Sequence, residues 1–327
     1  MKSLTSKFAF QAALASIVAL AIGIPLRAYV TSKDLAVDGT IVQQRWRPAA
    51  FPLQWQMNPT QSANVTGSRP QHDVFAAAFA AWQGVSTATV TISEGPQTPT
   101  TAKPGFDGIN LITTNVSSAD FNSAALALTL VYAFDQGGPG FVDSQGRPID
   151  FPGQIAEADM MFNPTTAFST SITTPSSSVD LQAVTTHEVG HFLGLDHSTL
   201  VSATMFPTIP TGYNLPRNLS SDDMAAISTI YPGPTFAAKG QLSGTVRTTD
   251  GTPVYGAAVV AVNSSGTPVA GSITDPSGNY TIAGLDSGAY TVYAQPLVNP
   301  FTVGNAQTLV RIYPGSSVNT GFTARFH

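Results

Sequence analysis

His187-Glu188-Val189-Gly190-His191-Phe192-Leu193-Gly194-Leu195-Asp196-His197 is the stretch that chemistry constrains most, and Met205 follows in the run Ser202-Ala203-Thr204-Met205-Phe206-Pro207. His187 and His191 stand four apart, so on a helix they project from one face and can grip one metal ion. Glu188 lies between them in sequence and on the same side, within reach of a water on that ion. Gly194 can take the left-handed conformation that ends a helix, which turns the chain back and delivers His197 as a third ligand. Three neutral imidazoles fill three corners of a zinc tetrahedron and leave the fourth for water, as in a catalytic site. A lone H-E-x-x-H also arises by accident, with histidines merely satisfied in a core or on a surface. Here the glycine, the third histidine and the methionine all fall in register, and three of the chain's five histidines lie in these eleven residues. The pattern predicts a hydrolytic metal centre with His187, His191 and His197 as ligands and Glu188 as its base.

H-E-x-x-H-x-x-G-x-x-H followed by a methionine turn resembles the metzincin zinc metalloproteases, and the details resemble their matrixin branch, the matrix metalloproteinases. Ser198 directly after the third histidine is the matrixin form, and Met205-Phe206-Pro207 is similar to the matrixin turn. Leu219-Ser220-Ser221-Asp222-Asp223-Met224 through Ile230-Tyr231 resembles the family's closing helix. Glu157-Ala158-Asp159-Met160-Met161-Phe162-Asn163 is similar to the last sheet strand of bacterial matrixin-like proteins, and Phe79 with Trp82 matches their first helix. The likeness spans residues 45–232.

The resemblance implies an α+β catalytic domain, a twisted mixed five-stranded sheet with three helices, holding one catalytic zinc. It implies Glu188 as general base and Met205 as an apolar floor beneath the ligands. By resemblance, Leu126–Phe134 is the sheet edge along which a protein or peptide substrate pairs as an extended strand. Read from its residues alone, the run is as well explained by an ordinary buried strand. The wall of the pocket for the side chain after the cut bond would include Pro207-Thr208-Ile209 and the small Ala183, which predicts a roomy apolar pocket accepting Leu, Met or Phe. Matrixins often bind calcium near loop 135–156, and Asp135, Asp143 and Asp150 on this Gly-rich loop offer hard ligands. Their spacing, however, fits no defined calcium loop. The family's second, structural zinc needs histidines there, and only His72 and His327 lie outside the motif, so a single zinc is expected.

Charged residues make up only 10% of the 327, against a usual figure of about 25%. Lys2 and Lys7 precede an apolar run from Phe8 to Leu26, and Leu26-Arg27-Ala28 is an imperfect small-residue cleavage site. Residues 1–28 read as a secretory signal peptide, with an uncleaved membrane anchor as the alternative. Either way the remainder lies outside the cytoplasm: secreted, periplasmic or at a cell surface. Without Lys2, Lys7 and Arg27, the 14 basic residues fall to 11 against 19 acidic ones, a balance unsuited to nucleic acid. The chain has no cysteine, so packing and bound metal must stabilise it, and the propeptide cysteine that keeps animal matrixins latent has no counterpart. Residues 29–45 are too few for a folded prodomain. Asp34 or Asp38 in this stretch could lend a carboxylate to the open metal position, unless both are solvated linker. Oligomeric state is not legible, with a monomer as the default.

Along the chain, Phe51–Asn58 alternates like a strand, and Phe75, Phe79 and Trp82 make one apolar stripe of a helix over 71–83. Strands are expected near 87–93 and 108–114. The motif helix should begin at Ser178 or Asp180 and end at Gly194, and a last helix over 220–231 should carry Ser220 as cap with Asp223 near a capping box. Pro232-Gly233-Pro234 reads as a helix stop opening a linker, 233–238, which ends a domain spanning 46–232. From residue 239 to 327, short alternating strands separated by turns predict a β-sandwich. The order of Leu242-Ser243-Gly244-Thr245-Val246, Gly256-Ala257-Ala258-Val259-Val260, Asp275-Pro276-Ser277-Gly278-Asn279-Tyr280 and Ser287-Gly288-Ala289-Tyr290 resembles the carboxypeptidase-regulatory-like, transthyretin-like domain. Nothing in it reads as catalytic. The expected function is a secreted zinc endopeptidase; the alternative is a catalytically retired metzincin fold acting as an extracellular binding or adhesion protein through its sandwich.

Overall fold

The computed structural model describes residues 31–121, 123–297, 318–319, 321–323 and 325–326, and the predicted signal segment 1–28 lies outside them. Alternation in Leu53-Gln54-Trp55-Gln56-Met57 turns Leu53, Trp55 and Met57 inward and makes this run a strand. With β1 (Lys33–Leu35) and β2 (Ile41–Gln43) forming an N-terminal hairpin, it is β3 (Leu53–Met57). β3 is a member of a mixed five-stranded sheet with β5 (Ile92–Glu94), β6 (Leu111–Thr113), β7 (Ala127–Ala133) and β8 (Ile155–Phe162), in the order β5-β3-β6-β8-β7. All neighbours run parallel except β7, which is antiparallel to β8. Among the described residues β7 pairs with β8 alone, so the run read as either edge or interior is an edge strand. A small parallel sheet adds β4 (Val65–Thr66), β9 (Phe168–Ser169) and β10 (Val179–Asp180).

Three helices complete the first unit. The predicted aromatic stripe places Phe75, Phe79 and Trp82 in the core on α1 (Gln71–Gln83), and each such burial contributes about 1.5–3 kcal/mol. Phe79 stacks on Trp55 with ring centroids 4.8 Å apart, joining helix to sheet. Trp82 donates its indole N–H to the Thr186 carbonyl at 2.7 Å, fixing α1 against α2 (Leu181–Phe192). Asp180, one of the two predicted caps, accepts from the Ala183 N–H at 2.8 Å. The helix ends two residues before the expected Gly194, because that glycine lies beyond the last turn in the left-handed region at φ +91°. A Cβ there would stand 2.4 Å from the Gln44 carbonyl oxygen, so conformation and close approach both require glycine. The carbonyls freed at this end are taken by the Trp46 indole (to Phe192, 2.7 Å) and the Tyr231 hydroxyl (to Leu193, 2.8 Å). α3 (Ser221–Ile230) begins with the predicted Ser220–Asp223 capping box.

The C-terminal unit is all-β and antiparallel. β11 (Gly240–Thr245) pairs with β14 (Asn279–Leu285), and β12 (Ala257–Asn263), β13 (Pro268–Ile273), β15 (Tyr290–Pro296) and β16 (Arg325–Phe326) form a second sheet in the order β13-β12-β15-β16. Asp275 and Gly278 are turn residues: the Asp275 carboxylate accepts from the Ser277 and Asn279 N–H groups at 2.9 and 2.8 Å. Two stretches read as loose are tied down. The N-terminal segment docks on the end of α2, where the Ser32 N–H donates to the Gly194 carbonyl at 2.9 Å. The Pro-Gly-Pro segment is stitched to residues 87–89 by Gly233 N–H to Thr87 carbonyl (2.8 Å) and Thr89 N–H to Tyr231 carbonyl (2.8 Å). No helix among the described residues is long and apolar enough to cross a membrane.

Candidate metal centre

α2 carries His187, Glu188 and His191, and the turn at Gly194 brings His197 back to them. One ring nitrogen from each histidine lies within 4.8 Å of the others, and the ring centroids are 4.8, 5.0 and 5.1 Å apart. His187 Nδ1 faces the Thr204 carbonyl at 2.8 Å and His191 Nδ1 faces the Leu195 carbonyl at 2.8 Å. A carbonyl only accepts, so each proton sits on Nδ1 and the Nε2 lone pair is turned toward the centre. The two Nε2 atoms are 3.1 Å apart, close to the edge of roughly 3.3 Å in a tetrahedron built with zinc–nitrogen bonds of about 2.0–2.1 Å. Burial, then the neighbouring His191 and His197, hold His187 well below its ordinary pKa, which keeps it in the neutral form a metal requires. Lone pairs converging without protons between them fit a divalent cation.

Glu188 is buried, and that burial pushes its carboxyl above the ordinary range. The Thr129 hydroxyl, reaching over from β7, donates to Glu188 Oε2 at 2.6 Å. Sequence reading passed over Thr129. Its one signal is a hydroxyl inside the apolar run Leu126–Phe134. Met205 is buried under α2. A Cβ on Gly190 would lie 2.2 Å from the Met205 sulfur, so the absence of a side chain at this helical position lets the methionine close in. Asp223 has a role beyond the predicted capping box, because its carboxylate accepts from the Thr204 and Met205 N–H groups at 2.8 and 3.0 Å. Ser198 N–H donates to the Met205 carbonyl at 2.8 Å, closing the loop from third histidine to methionine.

Of the residues expected to wall the pocket, Ile209 is half-buried and Ala183 buried. The Arg217 guanidinium grips fully buried Asp180 at 2.9 Å from Nε. Other candidates lie apart from the centre. Asp34 accepts from its neighbour's N–H on Leu35 and Asp38 from Thr40, and neither carboxylate joins the histidine cluster. Within loop 135–156, Asp143 pairs with Arg147 and Asp150 faces Arg47. Among the described residues no acidic trio gathers there. Glu157 and Asp159 on β8, each pushed up to about 7 chiefly by burial, accept backbone N–H groups of Asp107, Gly105 and Leu111 instead. His72 bridges Asp73 and Glu94 at the surface, and His327 lies outside the described residues.

Three histidines on a helix and its returning turn, a carboxylate beside them and a methionine beneath define a metzincin-type centre on an α+β scaffold. Residues 132–232 match the family model described as Matrixin, and residues 241–311 match the carboxypeptidase regulatory-like domain; the chain carries a matrixin domain followed by that second domain. It is 35% identical over 113 residues to Metalloendoproteinase 1 of Glycine max, covering 31% of each chain. Over 56 residues it is 43% identical to Metalloendoproteinase 2-MMP of Arabidopsis thaliana (17% of this chain, 15% of the relative). Over 67 residues it is 42% identical to Karilysin of Tannerella forsythia (20% and 13%). The chain thus spans less than a third of the length of these relatives.

Proposed function

We propose that this chain is an exported zinc endopeptidase whose site is His187, His191 and His197 as metal ligands, Glu188 as general base and Met205 as the apolar support beneath them. The carrying observation is that the three imidazoles converge within 4.8 Å beside a buried carboxylate on the helix that carries two of them. Zinc, when bound there, supplies Lewis acidity, making water a stronger acid and a peptide carbonyl more electrophilic. Glu188, its carboxylate oriented by Thr129, takes a proton from the attacking water and returns it to the departing amine. Free backbone groups along β7 pair with an extended substrate as an added strand. Ala183 and Ile209 border an apolar pocket for Leu, Met or Phe after the cut bond. The leader over residues 1–28 supports export, and the proposed division of the chain at 46–232 and 239–327 leaves the matches over 132–232 and 241–311 inside its two parts.

Zinc stoichiometry and casein hydrolysis, with and without 1,10-phenanthroline, test the reading. One zinc per chain and chelator-sensitive cleavage are expected. Glu188→Ala should keep the zinc and lose turnover, whereas His191→Ala should lose both. Zinc uptake without cleavage by the unaltered protein would favour the retired, binding-protein alternative, and substantial cleavage by Glu188→Ala would remove Glu188 from its role.

A further inference from the structure

The loop that delivers the third histidine is not held by the matrixin domain alone. Asp222, on the first turn of α3, is 2% exposed, and each of its carboxylate oxygens has one partner. Oδ2 accepts from the Ser198 hydroxyl at 2.6 Å, one residue past His197. Oδ1 accepts from the Gly271 N–H at 2.8 Å, on β13 of the C-terminal sandwich. The same Ser198 oxygen takes the Leu200 N–H at 3.1 Å. One buried carboxylate therefore joins the ligand loop to the other domain.

Apolar contacts repeat the connection. Leu200 and Ala203 are buried in one cluster with Val260 of β12, and Phe206 packs against Tyr255, Ala258 and Ile273. Gly271 lies so close to this loop that a Cβ on it would come within 2.4 Å of Leu200 Cδ1 and 3.0 Å of Thr199 Oγ1. Within the segment from Ser198 to Phe206, Ser198, Leu200, Ala203, Thr204 and Met205 are buried, and only the tip at Val201 and Ser202 is exposed. The segment contains Thr204, whose carbonyl fixes the His187 ring.

We infer that the C-terminal sandwich is a positioning element of the metal centre, holding the His197 loop through Asp222, Gly271 and the Leu200–Val260 contact. The inference rests on the proposed zinc site. Groups behind metal ligands set ring orientation, and losing one typically weakens metal binding about 10- to 100-fold. A change made only in the sandwich should therefore be read at the zinc.

Chelator competition on the full-length chain measures this, with folding followed by near-UV circular dichroism. Gly271→Ala and Val260→Ala perturb the loop from the sandwich side, and Asp222→Ala removes the joint. Each is expected to weaken zinc binding about tenfold or more. Asp222→Asn keeps an acceptor for Gly271 and a polar partner for Ser198, and should restore most of the affinity. Ser221→Ala deletes another interdomain hydrogen bond, to the Val269 carbonyl at 2.6 Å, without touching the ligand loop, and should stay within about twofold of wild type. Unchanged affinity in folded Gly271→Ala and Val260→Ala would overturn the inference. So would an equal loss in Ser221→Ala, since the effect would then be one of general stability. A wild-type chain that takes up no zinc would instead sink the metal-site reading itself.

Discussion

In the role proposed for Glu188, a carboxylate that moves protons needs a partner that orients it without competing for the proton, and the Thr129 hydroxyl stands at hydrogen-bond distance from it. That hydroxyl gives one charge-assisted hydrogen bond at 2.6 Å. Thr129→Val replaces that hydroxyl with a methyl of similar size, so the fold should persist. The expected result is a kcat lowered about tenfold, the value of one such bond, with KM nearly unchanged. A raised KM at constant kcat would mean that Thr129 serves substrate binding. Gly190 is constrained differently, since a methyl there meets the Met205 sulfur at 2.2 Å and Trp82 at 3.0 Å. Gly190→Ala should lose about 1–3 kcal/mol in urea unfolding through overpacking. The gathering of the three histidines beside Glu188 was legible because the four-residue spacing on a helix and the glycine turn after it are local. Thr129 was not, since it reaches Glu188 only after a strand and a helix 59 positions apart have packed together.

At the scale of elements, the start of α2 and the loop before α3 depend on one buried pair. Asp180 caps the helix, accepts from the Thr174 hydroxyl at 2.5 Å and holds Arg217, which also donates to the Ser171 and Ile172 carbonyls. Arg217→Ala leaves that carboxylate buried without its countercharge and should cost about 3–5 kcal/mol of unfolding free energy; a loss under about 1 kcal/mol would show that solvent reaches Asp180. α1 and β5 are joined by a weaker tie, the His72 imidazole between Asp73 and Glu94 at 3.0 and 2.9 Å. The bond to Asp73, then that to Glu94, raises the His72 pKa above its ordinary value. A base raised on folding adds stability that is complete below its unfolded pKa, about 6.5, and fades as pH rises through the folded value. The melting temperature of wild type minus that of His72→Gln should accordingly be positive near pH 5 and vanish by about pH 9; a difference constant across that range would assign the tie to packing. Helices were legible within two residues because stripes and caps are local. Strands came out shorter than their apolar runs, as at Leu111–Thr113 within the expected 108–114 region, or shifted, as at Ile92–Glu94, which overlaps the expected 87–93 only at Ile92 and Ser93, since a ladder also needs a neighbour in register. The two-residue strands β4, β9 and β10 carry too little pattern to announce themselves.

For the molecule as a whole, the sequence divides where matrixin-like periodicity gives way to alternating strands, and one family match ends at Pro232 while the other begins at Gln241. What composition could not convey is the depth of the docking, because glycines shape much of it. Gly284 sits so near α3 that a Cβ would lie 2.6 Å from that of Ala225, and Gly271 approaches Leu200 in the same way. No hydrophobic pattern marks such residues as an interface. Their effect is that Ile227 and Ile230 of α3 belong to one buried cluster with Val259, Ala270, Ile282 and Leu285 of the sandwich. Domains that share a core lose contacts together, whereas domains on a free linker melt separately. Scanning calorimetry of the chain should therefore show one transition, with calorimetric and van't Hoff enthalpies in agreement. Zinc bound to the native state should move that whole transition upward with concentration. Two peaks, of which only one responds to zinc, would show that the sandwich unfolds on its own and that the shared cluster does not couple the halves.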